Sequence, residues 1–147
     1  MEVMNWTYNG LEVRSIEDLD ENCIGFIYRI DNLTNGKFYY GRKTIRKKGA
    51  KKRLTKKEKE LPENKRKTFK YVDSEYKGWQ AYNGSCLPLL EDIKNGAIIK
   101  KEIVRLCYTK SELTYYELKE ITCANCLEIE QCYNNNLLGK IFLPKNK

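Results

Sequence analysis

The sequence predicts an α+β fold, an α/β sandwich in which a small three-stranded sheet, mixed or antiparallel, is flanked by helices. Two aromatic-rich runs, residues 24–31 and 37–42, alternate with a period of two and flank Asn35-Gly36, a dipeptide that short hairpin turns favour. A third run, residues 97–107, has the length and the apolar centre of an interior strand. These three strands make up the predicted sheet.

Two segments with helical spacing follow the hairpin and should cover the sheet. Ser85 is a candidate N-cap, Pro88 suits the first turn, and Asn95-Gly96 is a typical helix end. Ser111 begins the second predicted helix, which is amphipathic. Its apolar positions are Leu113, Tyr116, Leu118, Ile121 and Leu127.

Length and composition favour one cytoplasmic domain. The 147 residues suit a single core, which we place at residues 24–134 between an N-terminal arm, residues 1–23, and a C-terminal tail, residues 135–147. No apolar run approaches membrane-spanning length, and the acidic N-terminus lacks the features of a signal peptide, so we expect no membrane partner. Six cysteines are too sparse for a disulfide scaffold, and we expect them to be reduced.

The positive charge is concentrated in one segment. Residues 42–70 hold fifteen Lys or Arg and three acids, whereas the other 118 residues hold thirteen basic and seventeen acidic groups. A polyanion partner would be bound by such a patch through counterion release. We therefore predict that residues 43–77, read as a partly helical and poorly ordered basic insertion, grip nucleic acid. A solvated loop that only aids solubility is the alternative. The predicted contacts are Lys47, Lys48, Lys51, Lys52, Arg53, Lys65, Arg66 and Lys67.

Several polar residues are candidates for chemistry. Tyr28 and Tyr39 fall on neighbouring strands, where their phenols can approach each other, although both could be ordinary strand aromatics. Glu117 lies at the edge of an apolar helix stripe, where a carboxylate needs a partner, and is the best ligand candidate in a chain without histidine. A solvated glutamate is the alternative there. Ser85 could bind a phosphate oxygen at a helix N-terminus, or act only as a cap.

The motif Gly25-Phe26-Ile27-Tyr28, followed ten residues later by Tyr39-Tyr40-Gly41, resembles the paired signature of the GIY-YIG nuclease superfamily, including its phage-encoded, homing-endonuclease-like members. The resemblance covers residues 24–134. The first glycine lies one residue further from Ile-Tyr than the family name implies, and Tyr40 stands in place of isoleucine.

The resemblance implies roles for individual residues. Glu117 would hold one Mg²⁺, or another divalent cation such as Mn²⁺, and Tyr28 would be the phenol beside the attacking water. Tyr39 would position or donate to the scissile phosphate, and Asn134 would support the site at the end of the helix. With an ordinary phenol pKa of about 10, Tyr28 could act as a base only if nearby cations or the metal lowered that pKa.

Cations are available directly after the second motif, at Arg42 and Lys43. The family also has an arginine further on, on a helix, whose planar fork clamps the phosphate. Arg46 is the nearest candidate, and Arg53 would serve if the insertion shifts that helix.

The resemblance implies a metal-dependent DNA endonuclease of the homing type, acting as a monomer or a DNA-induced dimer, in the host-cell cytoplasm if phage-encoded. The alternative is a non-catalytic basic module that binds RNA or DNA through residues 42–70. A weaker third option is a zinc-binding interaction protein. Cys123, Cys126 and Cys132 would need one more close cysteine for that site.

Overall fold

The computed structural model describes residues 4–66 and 68–144, with the backbone alone at residues 50–52, 71 and 72. Five strands form the main sheet, and two further strands form a separate one. In chain order the elements are β1 (Thr7–Tyr8), β2 (Leu11–Glu12), β3 (Gly25–Asn32), β4 (Phe38–Thr44), β5 (Arg46–Arg53), α1 (Lys56–Lys59), β6 (Phe69–Glu75), α2 (Leu87–Lys94), β7 (Ile99–Cys107) and α3 (Lys110–Cys123).

The predicted α+β class is confirmed, but the main sheet has five strands instead of three. Its order is β2-β1-β7-β3-β4. The two additional strands are short, and β1 pairs in parallel with β7, which makes the sheet mixed. Residues predicted as an N-terminal arm therefore extend the sheet, and Trp6 and Val13 are buried in the core.

The β3–β4 hairpin is the centre of the fold. Tyr28 pairs with Gly41 and Ile30 pairs with Tyr39, while β7 pairs with the other side of β3. Gly36 adopts a φ of 76°, as the turn requires. Because β4 is the last strand in the order of the main sheet and pairs only with β3, it forms an edge of that sheet.

Each face of the sheet is covered by apolar side chains. On one face the buried side chains include the rings of Trp6, Phe26, Tyr28 and Trp79, together with Leu89 from α2. Full burial of such a side chain contributes about 1.5–3 kcal/mol. The indole nitrogen of Trp6 donates to the carbonyl of Trp79 over 2.9 Å, so the polar atom of this ring is also satisfied.

Helix α3 covers the opposite face. Leu113 packs with Ile27, and Ile121 packs with Tyr40. The helix begins at Lys110, one residue before the predicted start, because the Thr109 side chain accepts from the Glu112 backbone N–H and caps it. Similarly, the N-cap of α2 is Cys86 and not Ser85, so the hydroxyl of Ser85 serves another purpose.

The prediction of a poorly ordered basic loop is wrong. Strands β5 and β6 form an antiparallel ribbon, and α1 and a 3₁₀ turn at Pro62–Asn64 lie between them. At the tip Leu54 is buried, and the Glu58 carboxylate accepts from Lys70 Nζ over 2.6 Å. The density of charge in the sequence does not predict these contacts. We call residues 46–75 the basic arm.

No helix in the described part of the chain is both long and apolar enough to span a bilayer. All six cysteines lie in the described residues, and no disulfide joins any two of them.

Candidate active site

The outer edge of β4 is covered by other parts of the chain as far as Tyr40. The Phe38 N–H donates to the Gln131 carbonyl, and the Phe38 carbonyl accepts from the Tyr133 N–H, both over 2.8 Å. At Tyr40 the buried side chain of Asn134 replaces a neighbouring strand. Its Oδ1 accepts from the Tyr40 N–H over 2.9 Å, and its Nδ2 donates to the Tyr40 carbonyl over 2.8 Å. Asn134 therefore holds β4 in place.

Glu117 occupies the next position along the same edge. Its carboxylate accepts a hydrogen bond from the Arg42 backbone N–H, and its Oε1 lies 3.9 Å from Arg42 Nε. Arg42 Nη1 also donates to Thr114 Oγ1 over 2.6 Å. The Glu117 side chain is 19 % exposed, and this burial raises the pKa of its carboxyl, an effect that the Arg42 charge opposes.

A cleft of about 560 Å³ opens at this edge of the sheet. Tyr39 enters it from the face covered by α2, whereas Glu117 comes from α3 on the opposite face. The two side chains can line the same cleft because β4 is an edge strand. The charge of Glu117 also raises the pKa values of the Tyr28 and Tyr39 phenols. Residues from four segments line the cleft, among them Tyr39, Arg42, Ser85, Glu117, Tyr133 and Asn134.

The two motif tyrosines pack together but differ in exposure. Their ring centroids lie 6.1 Å apart. Tyr39 lines the cleft and hydrogen-bonds with Ser85, whereas Tyr28 is 1 % exposed. The structure thus places Tyr39, and not Tyr28, against the open space of the cleft.

Two glycines make room for these rings. A Cβ at Gly41 would overlap the Tyr28 hydroxyl, so only glycine allows the phenol to cross β4 toward the edge. At Gly84, with a φ of 89°, a Cβ would lie 3.3 Å from Tyr28 Oη and 3.4 Å from Tyr39 Cε1. The Gly84-Ser85 segment therefore closes directly over both phenols.

The environment of Tyr28 opposes its ionisation. Burial raises the pKa of the phenol far above its usual value, and the charges of Tyr39 and Tyr82 act in the same direction. A general-base role for Tyr28 would require a lowered pKa, and no cation in the part of the chain that the structure describes lowers the pKa of this phenol in the free protein. Tyr28 instead hydrogen-bonds with Tyr82, whose ring lies 4.3 Å from Lys43 Nζ.

Tyr82 is thus a third phenol beside the predicted pair, and the site prediction omitted it. The signal available was its position two residues before Gly84-Ser85. Its aromatic neighbours made packing an equally good explanation. Only the structure shows its ring edge-to-face with Tyr28, with centroids 6.1 Å apart.

The predicted clamp arginine Arg46 does not join this cleft. Its guanidinium donates to the carbonyls of Asp20, Cys23 and Ile16 over 2.6–3.2 Å, which ties it to the N-terminal segment. Only Ile45 separates β4 from β5, so the helix expected after the second motif is replaced by a strand. Arg53, the other candidate, ends β5 in the basic arm. Arg42 is therefore the arginine that the structure places in the cleft.

The predicted nucleic-acid contacts lie apart from the cleft, on the basic arm, except for Ser85. Lys47, Arg53, Lys65 and Arg66 are exposed. Lys48 donates to the Glu21 carbonyl and pairs with Asp73. The backbone places Lys51 and Lys52 on β5, and Lys67 lies outside the described residues.

Glu117 is suited to a hard divalent cation. Within residues 4–66 and 68–144, no group of three His, Cys, Asp or Glu side chains could hold a metal ion. The cleft offers one partly buried carboxylate, with Tyr39 in the same lining and open space beside it. Mg²⁺ is commonly held by one or two carboxylates, with water and substrate phosphate completing its shell. The donor set therefore fits Mg²⁺.

Comparison with known proteins gives one match. The family model described as "Putative endonuclease segE, GIY-YIG domain" matches residues 6–137. No curated protein and no solved structure matches the chain.

Proposed function

Because the chain belongs to the GIY-YIG nuclease family, we propose that it is a divalent-metal-dependent endonuclease that hydrolyses phosphodiester bonds of DNA. The observation that supports this proposal is the meeting of Tyr39, Arg42 and Glu117 in one cleft at the edge of β4. A homing-type role, predicted from the resemblance, remains part of the proposal.

Arg42 is the residue that binds the scissile phosphate. Its guanidinium offers a planar pair of donors that matches two phosphoryl oxygens. In the free protein these donors face Thr114 and Glu117. The side chain is 43 % exposed, so it can turn from them to a phosphate without unfolding any element.

Glu117 is the metal ligand in this proposal. Glu117 would hold a divalent ion, which would supply positive charge for the phosphoryl oxygens and lower the pKa of water. The hydrogen bond from the Arg42 backbone fixes the carboxylate against β4, and its burial excludes part of the surrounding water. The charge of Arg42 offsets the cost of holding the carboxylate in this position.

Tyr39 orients the reacting phosphate from the opposite side of the cleft. Burial raises the pKa of its phenol, so it is a neutral hydrogen-bond donor at pH 7, and its bond with Ser85 restricts its position. Tyr28 is a positioning residue behind it. Its ring supports Tyr39 and the Gly84 backbone, and its hydroxyl is shared with Tyr82.

Plasmid nicking with and without Mg²⁺ tests the proposal. We expect conversion of supercoiled to nicked or linear DNA that EDTA abolishes, and Glu117→Ala should lose cleavage while it retains DNA binding. Glu120→Ala is the matched control, because Glu120 lies on the same helix outside the lining of the cleft. Cleavage by Glu117→Ala at the wild-type rate would remove the metal-site assignment.

The same experiment separates the non-catalytic alternative. If Mg²⁺ and Mn²⁺ both fail to produce breaks in supercoiled, linear or single-stranded DNA, while salt-sensitive binding persists, the protein is a binding module.

A further inference from the structure

The basic arm carries the whole net charge of the protein. Residues 46–75 hold thirteen Lys or Arg and five Asp or Glu, which gives +8, the same value as the full chain. The rest of the molecule is neutral overall. A partner attracted by long-range electrostatics is therefore attracted to the arm and not to the body.

The exposed cations of the arm cluster near its tip. Lys56, Lys57 and Lys59 follow one another on α1, and Arg53 and Arg66 flank that helix in sequence; all five are exposed. Two of the five acids in the arm are paired with its own lysines, Glu58 with Lys70 and Asp73 with Lys48. These two acids stabilise the arm internally. The tip, residues 53–66, also holds the exposed Glu60 and Glu63, but its six Lys and Arg outnumber its three acids.

The shape of the arm matches a duplex groove. Strands of eight and seven residues form a two-stranded ribbon. At about 3.3 Å per residue the longer strand spans about 25 Å. The major groove of B-form DNA is about 12 Å wide and admits a two-stranded ribbon, whereas the major groove of duplex RNA is too narrow for side chains to read.

The root of the arm is fixed to the body next to the cleft. Ile45, which joins β4 to β5, is fully buried, and its N–H and carbonyl bond with Ile24 and Tyr76. Arg46 donates to three carbonyls of the N-terminal segment, and Glu75 at the other root accepts from the Trp79 indole over 2.7 Å. The ribbon therefore begins from an anchored position one residue after the strand that bears Tyr39 and Arg42.

We propose that the basic arm binds duplex DNA by placing its ribbon in the major groove, and that its anchored root sets the distance between the bound segment and the phosphate that is cut. This inference rests on the proposed function. Arg46 acts in it as a positioning residue, through the arm, and makes no contact with the reacting phosphate.

Binding is measured on a mixed-sequence duplex of about 40 base pairs. Cleavage is prevented by using the Glu117→Ala variant as the background and by adding EDTA. Lys56→Gln/Lys57→Gln/Lys59→Gln should reduce the magnitude of the negative slope of log Kobs against log salt concentration by about 2 to 3, since each phosphate contact contributes about 0.9. The control is Lys94→Gln/Lys100→Gln, two exposed lysines on the body, which should leave the slope unchanged. An unchanged slope in the arm variant, or an equal loss in the control, overturns the proposal.

Two further readouts locate the arm. Binding should protect guanine N7, a major-groove atom, from dimethyl sulfate, and the arm variant should lose that protection. Duplex RNA and single-stranded DNA of the same sequence should bind more weakly than duplex DNA. Tighter binding to either of them, or no N7 protection, contradicts placement in the major groove. None of these measurements depends on whether the protein cuts DNA.

Arg46→Gln tests the spacing role, with melting temperature as the folding control. The variant should bind DNA with the wild-type salt slope but cut at scattered positions, as end mapping on a single labelled duplex would show. The lysine side chain of Arg46→Lys can bond to only some of the three carbonyls. Its cut positions should therefore scatter less than those of Arg46→Gln. Unchanged cleavage positions in a folded Arg46→Gln variant would refute the positioning role while leaving the nuclease proposal intact.

Discussion

Asn134→Asp offers a sharp test of how the edge of β4 is held. The wild-type amide accepts from the Tyr40 N–H and donates to the Tyr40 carbonyl, and it is 7 % exposed. A protonated carboxyl has nearly the same shape and can make both bonds, whereas a carboxylate has no proton to donate and would face a carbonyl oxygen. The loss of stability should therefore depend on pH.

The size of the effect follows from these contacts. Leaving a buried acceptor without its donor costs about 1–3 kcal/mol, and the same cost appears as a pKa of the introduced carboxyl raised by about two units, at 1.36 kcal/mol per unit. An acid with a raised folded pKa keeps its stability below its unfolded pKa of about 3.9 and loses it as the pH rises through the folded value. We expect a loss below about 1 kcal/mol at pH 4 and about 2–3 kcal/mol at pH 8.

Thermal unfolding at the two pH values measures this difference. For a chain of this size about 2–4 °C accompanies each kcal/mol, so the variant should melt about 5–10 °C below wild type at pH 8 and near wild type at pH 4. Asn135→Asp is the control, because Asn135 is exposed and its side-chain oxygen only accepts from Asn136. Equal melting shifts at both pH values, or the same shift in the control, would refute the bonding pattern described for Asn134.

Further predictions concern the cleft itself. Glu117→Gln should abolish nicking yet melt at or above the wild-type temperature at pH 7.5, because burial raises the pKa of this carboxyl and so makes its ionised form costly to the fold; calorimetry and plasmid assays check both. Tyr39→Phe should reduce kcat more than Tyr28→Phe in single-turnover assays, since Tyr39 lines the cleft. Gly41→Ala should cost about 1–3 kcal/mol in denaturant unfolding, because its Cβ would overlap the Tyr28 hydroxyl.

Part of the candidate site could be predicted from the sequence. The alternation on either side of Asn35-Gly36 predicted a hairpin that brings Tyr28 near Tyr39, and the structure confirms that pairing. Glu117 stood out because a carboxylate at the edge of an apolar stripe needs a partner, and its neighbour in the structure is Arg42.

Other parts could not be predicted, because they depend on contacts between distant segments. The bonds that remove Arg46 from the cleft join it to carbonyls more than twenty residues away in the chain. Tyr28 is buried against the rings of Trp6 and Tyr82, which lie far from it in the chain, whereas Tyr39 lines the cleft. No local pattern encodes either relation.

The basic arm also combines a feature that the sequence predicts with one that only the tertiary structure shows. Its charge is a property of the sequence, whereas its ribbon depends on pairing β5 with β6 across more than a dozen intervening residues. A run of lysines is equally compatible with a loop or a strand. The buried Leu54 and the Glu58–Lys70 pair at the tip accompany the strand arrangement in the folded arm.

The sequence by itself determined the central hairpin, the covering helices, the family resemblance and the location of the positive charge, because each depends on local spacing or composition. The tertiary structure decided which tyrosine faces the cleft, which arginine lies beside Glu117, and that a helix on one face and a phenol on the other share a single site. The physical reason is that β4 is an edge strand, and its position in the sheet is fixed by pairings between segments far apart in the chain.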